Sequence, residues 1–440
     1  MSEVTPLRAN SLGWFEIASL GVAIAISGNF SGWNYGLAVG GWGGMMAAAG
    51  LMAVLYIGIT RIVGELAAAL PRVSGFDGYV SRGLSPAAGA VAGMTLFAGL
   101  AIGTGLAASF VAAYAESLLG IGGWGVKVLL IGLVTVVLLR GARDSIRVTL
   151  VAGSIALMVL VSFCAAMLPR FTTTHLLTSM PSGPATLWPA GIAGIFACVP
   201  FALFFFIGVE QAALGSAEAK NVTRTVPLAL TIAIATALVI GFGVLVLSTG
   251  AAGVVALTGT DDPLYAAAAA ASNGKPSPVV GALIGGGAIV SLMATFFSLA
   301  YAASRQAHAL AVAGDLPAWQ SRINGRQAPH WALVTTGVVG AAAAAFDPSV
   351  VMVLFVFLLN ITYQFTILAF VALRRREPLL ERPFRAMGGE AIAALSSVLS
   401  LMVLASCIQL HVLITSCALI AIAFYALLSR RLRRSSALAG

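Results

Sequence analysis

The stretch Ile26–Gly36, ISGNFSGWNYG, decides how the rest of the chain is read. It lies inside the first long apolar run, yet Ser27, Gly28, Asn29, Ser31, Gly32 and Asn34 crowd its centre. Gly costs about 1 kcal/mol against Ala in a helix interior, and Ser and Asn side chains compete with the helical ladder. In a bilayer, freed N–H and C=O groups find no water, so non-helical backbone persists only where protein buries it or it lines a cavity. A helix broken here is a candidate binding site, because half-helix N-termini face anions and half-helix carbonyl ends face cations. The same residues also suit a plain packing face, since small side chains let membrane helices approach closely.

Outward from that stretch, the chain is 60% hydrophobic and only 9% charged, with a mean hydropathy of +1.00. An average soluble domain has roughly 25% charged residues. Apolar runs of about 20 residues recur and nothing alternates with the period of a barrel strand. The chain therefore reads as an all-α integral membrane protein with twelve transmembrane helices. These are predicted at 14–38, 44–70, 87–119, 124–140, 146–168, 190–216, 225–249, 278–311, 330–346, 349–373, 389–408 and 410–429. A short helix around Pro263–Ala271 is placed in an outer loop. No small-residue cleavage site follows the first run, so it is not read as a signal peptide. Cys164, Cys198, Cys407 and Cys417 all lie in apolar runs, with neither a disulfide framework nor metal spacing.

The formal charge of +9 is explained by lipid and topology rather than by nucleic acid, because the basic residues fall in alternate loops. Arg8, Arg61, Arg72, Arg82, Arg140–Arg147, Lys220, Arg224, Arg305–Arg326, Arg374–Arg385 and Arg430–Arg434 gather on one side. Lys127, Arg170 and Lys275 remain on the other. The positive-inside rule then places both termini in the cytoplasm, in agreement with an even number of spans in the cytoplasmic membrane.

A second interrupted segment lies in the sixth span. Pro200 removes a backbone donor, Gly208 loosens the ladder, and Glu210 sets a carboxylate near membrane depth. The first and sixth spans each open a group of five, and interruptions at matching positions of two halves point to a midplane site between inverted repeats. The expected layout is a tail at 1–13, a first repeat at 14–168, an outer loop at 169–189, and a second repeat at 190–373. Two further helices with their preceding loop follow at 374–429, and a basic tail at 430–440.

Three segments resemble the amino acid–polyamine–organocation (APC) transporters. They are Glu65–Pro71 with Ser74-Gly75 and Gly78-Tyr79; Phe206–Glu210 with Glu218, Lys220, Asn221, Arg224 and Pro227; and Ser304-Arg305 with Gly314–Pro317. ISGNFSGWNYGLAVGGWGG is similar to the ethanolamine permease branch, with Asn29 where that branch carries Asp. The resemblance implies a LeuT-type 5+5 inverted repeat with broken helices 1 and 6. It implies a permease for a small amine or an amino acid, working by alternating access and driven by protons or exchange, with sodium as the alternative ion.

On that reading Ser27, Gly28, Asn29, Phe30, Ser31 and Gly32 take the substrate's polar end. Carbonyls just before the break meet an ammonium, while the N–H groups of Gly28–Gly32 meet a carboxylate or hydroxyl. Phe204, Phe205 and Phe206 stack on the apolar part or close the path, unless they are core or lipid-facing rings. Gly208 and Glu210 complete the substrate set, and Glu210 is the proton-coupling candidate. The alternative for Glu210 is a protonated side chain tying the unwound backbone together. Phe297 and Tyr301 are candidate aromatics, and Ser291, Thr295 and Ser298 are the hydroxyls of a sodium-site alternative. Arg61 and Glu65, four residues apart, are read as a structural pair or as binding neighbouring loops rather than substrate, and Asp77, Arg82, Arg143, Asp144 and Arg147 as loop ion pairs or solvated charges.

No cofactor or metal is expected, and no nucleic acid. The four histidines are scattered without carboxylate partners, which argues against an enzyme. The absence of a Walker loop leaves ion gradients as the driving force. The chain is read as a monomer or homodimer.

Overall fold

A computed structural model describes residues 13–71, 73, 75–141, 145–180, 183–210, 222–272 and 274–438. The apolar run that opens the chain forms α1, Trp14–Ser27, followed by a non-helical link and then α2, Asn34–Ala69. Within α2 the backbone turns at Gly41 (φ 68°, ψ −176°), so the first two predicted helices meet there without a loop. A side chain at Gly41 would drive a Cβ to 2.5 Å from Pro189 Cγ. The corner therefore needs glycine for both conformation and space.

A short α3, Gly75–Gly83, precedes α4, Pro86–Leu119. Pro86 opens α4 with a preset φ, the Ser85 hydroxyl accepts from the Ala88 N–H at 3.2 Å, and Gly120 ends it in the left-handed region. Next come α5, Trp124–Leu139, and α6, Ser145–Met167. The link to the second half carries a two-stranded antiparallel ladder, β1 (Thr178–Met180) and β2 (Gly183–Thr186). An all-α reading did not foresee it, because strands of three and four residues are too short to show a period.

The second half runs α7 (Gly191–Leu203), α8 (Val222–Ala252), the short α9 (Pro263–Ala270) and α10 (Pro278–Val312). Then follow α11 (His330–Ala343), α12 (Pro348–Arg376), α13 (Gly389–Leu410) and α14 (Val412–Leu438). Among the described residues, 8 helices are long and apolar enough to cross a membrane, and shorter apolar ones include α5, α7 and α11.

The interior is built from large rings set among small residues. Trp33, Tyr56, Tyr114, Tyr363, Phe30, Phe205 and Phe206 are all essentially inaccessible. Small residues bring the helices to backbone contact: a Cβ on Gly40 would sit 2.6 Å from the Gly194 carbonyl, and one on Gly105 2.2 Å from the Gly340 carbonyl. These contacts lock α2 to α7 and α4 to α11 in the manner of membrane helix pairs. The outer surface is apolar in turn, with Leu129, Val239, Leu413 and Ile420 exposed.

Candidate functional site

The two segments expected to break do break, and they meet. After Ser27 the ladder tightens to three-residue spacing. The N–H groups of Gly28, Asn29 and Phe30 donate to the carbonyls of Ala25, Ile26 and Ser27 at 3.2, 3.0 and 3.1 Å. Gly32 then turns left-handed at φ 94°, and its N–H donates to Asn34 Oδ1 at 3.2 Å. After Leu203 the same tightening appears at Phe205 and Phe206, and Gly208 turns left-handed at φ 109°. A Cβ on Gly28 would stand 2.5 Å from the Phe204 carbonyl oxygen. Only glycine allows the two unwound backbones this approach.

Ser27, Asn29, Phe30, Ser31, Phe205, Phe206 and Glu210 are buried with Gly28 and Gly32 around this crossing, and Phe204 is partly buried. Trp33 stacks on Phe205, ring centroids 5.8 Å apart and planes 22° apart, and its indole N–H donates to the Asn29 carbonyl at 3.0 Å. Tyr114 from α4 donates to the Phe30 carbonyl at 2.6 Å. Phe206 packs near Tyr56. Of the three consecutive phenylalanines, Phe204 is the one that joins the aromatic box beside Gly32, packing edge-on to Phe110 and Phe355. Tyr35 and Phe201 extend that box, and the Met352 thioether closes it against Gly32.

The carbonyls at the end of α1 are less open than the sequence suggested. The Asn29 amide donates to the Ile26 carbonyl at 3.2 Å and to that of Ala25 at 3.4 Å. Its own Oδ1, and the Ser31 hydroxyl, are buried without a hydrogen-bond partner among the described residues. A helix end that supplies its own neutral cap has less need of a cation there.

Glu210 sits in a ring of hydroxyls. Tyr56 of α2 donates to Oε2 at 2.7 Å and Tyr363 of α12 donates to Oε1 at 2.8 Å. The two tyrosine oxygens lie 2.9 Å apart, and the Gly208 N–H donates to Oε2 at 2.9 Å. Sequence reasoning did not single out these tyrosines or Tyr114. The usable signal was a phenol in an otherwise apolar span, whose O–H requires a buried partner.

On one flank the chain between α8 and α9 is fastened to α2. The Asn34 amide donates to the carbonyls of Leu257 (2.9 Å) and Thr260 (2.7 Å). The Tyr35 hydroxyl donates to Asp261 Oδ1 at 2.5 Å. Burial raises the Asp261 pKa above the ordinary value of 3.8; the Tyr35 hydrogen bond opposes the rise, Asp347 adds to it, and Lys127 opposes it. Asp262 is bonded to the Thr260 hydroxyl.

Glu65 does not pair with Arg61. Its carboxylate accepts from Arg374 at 3.0 and 2.6 Å, from the Ala386 N–H at 2.6 Å, and lies 3.2 Å from Arg382 Nε. A four-residue spacing along one helix lost to partners delivered by α12 and the loop behind it. Arg82 forms an exposed pair with Glu377 instead of a local one. Phe297 and Tyr301 pack against the cluster around Ile131 and Leu333, away from the broken segments. Ser298 bonds its own helix at Ala294, and Thr295 Oγ1 is buried without a partner among the described residues. Arg143, Asp144, Glu218, Lys220 and Asn221 lie outside the described residues, as do the side chains of Arg147, Arg224 and Arg430–Arg434.

The model of a known family, described as amino acid permease, matches residues 12–430. The chain belongs to the amino acid permease family. It is also 25% identical over 259 residues to the branched-chain amino acid permease BcaP of Lactococcus lactis subsp. cremoris (strain MG1363). That alignment covers 57% of this chain and 54% of the relative, so it spans about half the relative's length. Membership sets this permease among membrane transporters rather than enzymes.

Proposed function

We propose that this permease moves an amino acid with an apolar side chain across the cytoplasmic membrane by alternating access. The observation that carries the reading is the contact between the two non-helical segments, Gly28 against the Phe204 carbonyl. Broken helices facing each other give a substrate both a donor end and an acceptor end at one depth. In this reading the carboxylate meets the N–H end at Ser31–Asn34 and the ammonium meets the carbonyl end at Phe204. The side chain enters the box of Tyr35, Phe110, Phe201, Phe204, Met352 and Phe355. Its apolar lining, together with the printed name of the relative, favours a branched aliphatic side chain.

The wider reading has twelve spans, helices 1–5 and 6–10 as inverted repeats, helices 11 and 12 outside them, and both termini cytoplasmic. Proton coupling is assigned to Glu210 by counting protons. Three oxygen–oxygen contacts close its ring with Tyr56 and Tyr363. Two hydroxyl protons serve two of them, and a carboxyl proton supplies the third. An ionised Glu210 leaves the tyrosine–tyrosine contact without one, which loosens the tie between α2, α12 and the break after α7.

Proteoliposomes loaded with the purified protein test the substrate reading. Radiolabelled leucine should enter saturably, with competition by isoleucine and valine but not by ethanolamine or arginine. Saturable ethanolamine uptake without leucine uptake would replace the substrate, and a folded protein that moves neither would remove the transport reading.

A further inference from the structure

A surface groove of about 460 Å3 lies between the loop after α10 and the first turns of α11. Its walls include Trp319, Trp331, Val334 and Val338, and Arg322 stands in its lining. Trp319 and Trp331 meet edge to face, centroids 5.8 Å apart at 88°, yet remain 42% and 43% exposed. Residues 331, 334 and 338 lie on one stripe of α11, so the groove runs about 10 Å along the helix from its start, at 1.5 Å per residue. The stripe is most open at its far end, where Val338 is 63% exposed.

The chemistry is graded along that length. At the helix start are two indoles, the Arg322 guanidinium and the positive end of the α11 dipole. Further along there are only aliphatic side chains and the Thr335 hydroxyl. Arg322 is exposed and makes no ion pair among the described residues. Among the described residues, no carboxylate lines the groove. Indole rings over an apolar stripe, with a cation at the same level, form the pattern of a membrane–water interface.

We propose that this groove binds an anionic phospholipid of the leaflet on the arginine-rich side of the membrane. Its phosphate faces Arg322 and the start of α11, and one acyl chain lies along Val334 and Val338 beside the paired indoles. The proposal rests on membrane embedding and is independent of what the permease carries. A second copy of the chain fits less well. A two-fold contact through this face would bring two Arg322 side chains together in a lining that offers no carboxylate. A zwitterionic lipid also offers a phosphate but brings its own cation beside the guanidinium, and so gains less there.

Tryptophan quenching by phospholipids brominated on the acyl chains tests this in nanodiscs of the full chain. The probes are brominated phosphatidylglycerol and brominated phosphatidylcholine, each titrated into unbrominated phosphatidylcholine. The signal of the site is the part of the quenching that disappears in Trp319→Phe/Trp331→Phe. One arginine near an anionic surface is worth about 1 kcal/mol, or about fivefold. The expected result is half-maximal quenching of that part at about fivefold less phosphatidylglycerol than phosphatidylcholine. Arg322→Gln, an exposed loop substitution, should bring the two lipids together, while Arg305→Gln should leave the preference in place. Equal quenching by both lipids in the wild type, or a preference surviving Arg322→Gln, would overturn the proposal. Protection of these indoles from both lipids would overturn it in favour of a second protein copy on this face.

Discussion

Replacing Glu210 by Gln separates a proton carrier from a structural brace, because the ring around it makes the two roles differ in measurable ways. Glutamine keeps the size of the side chain. Its amide N–H supplies a proton to one tyrosine oxygen and its carbonyl accepts from the other, so all three oxygen-ring contacts retain a proton. Exchanging one satisfied buried ring for another should change stability by no more than about 1 kcal/mol. Glu210→Ala instead strips the acceptor from Tyr56, Tyr363 and the Gly208 N–H. The tyrosines fall back on one another, leaving about two buried groups unsatisfied at about 1–3 kcal/mol each, or about 2–6 kcal/mol. The assay pairs thermal unfolding of the purified variants with two transport measurements in liposomes, counterflow without a gradient and uptake driven by an inward proton gradient. Glu210→Gln should melt near the wild type and sustain counterflow, yet lose acceleration by the gradient, while Glu210→Ala should melt far lower. Gradient-driven accumulation by Glu210→Gln at the wild-type level would refute the proton-carrier reasoning.

Gly28→Leu should abolish substrate binding in an equilibrium titration while the protein still inserts, because even its Cβ would stand 2.5 Å from the Phe204 carbonyl; normal binding would mean the glycine merely packs. Glu65→Ala should cost about 3–5 kcal/mol by thermal unfolding, since it abandons Arg374, Arg382 and the Ala386 N–H around a side chain only 2% exposed. Arg375→Ala, at the exposed pair with Glu390, should leave the unfolding temperature unchanged within error. The raised pKa of Asp261 makes the burial of its carboxyl acid-stabilised, fully present below about 3.8 and lost as pH rises through the raised value, because burial disfavours the ionised form even though Tyr35 bonds that form better. Labelling of Thr258→Cys in a background free of native cysteines, divided by the rate of a free thiol at the same pH, should therefore quicken from pH 4 to pH 8, and Asp261→Asn should flatten that corrected rise; identical corrected rates across the range in the parent would remove this role of Asp261.

Much of this molecule is local and so was legible in the chain itself. Long apolar runs demand helices wherever backbone groups have no water, and the observed helices start and stop close to the composition boundaries, down to Pro86 and Gly120 at the ends of α4. The clusters around Gly28 and Gly208 announced broken helices because glycine, serine and asparagine weaken the ladder wherever they fall. The partners of those features were not legible. Glu65 is bound by Arg374, 309 residues away, and not by Arg61 four residues away. Glu210 is held by tyrosines 154 and 153 residues distant. Asn34 reaches 223 residues to Leu257. Propensity and hydropathy act on neighbours along the chain, whereas the choice of partner for a buried polar group depends on where separate helices cross. The tertiary structure alone decided that Phe204 joins the box beside Gly32 while Phe205 and Phe206 fill the core, since a run of three rings leaving a helix carries no mark of which one will meet the other break.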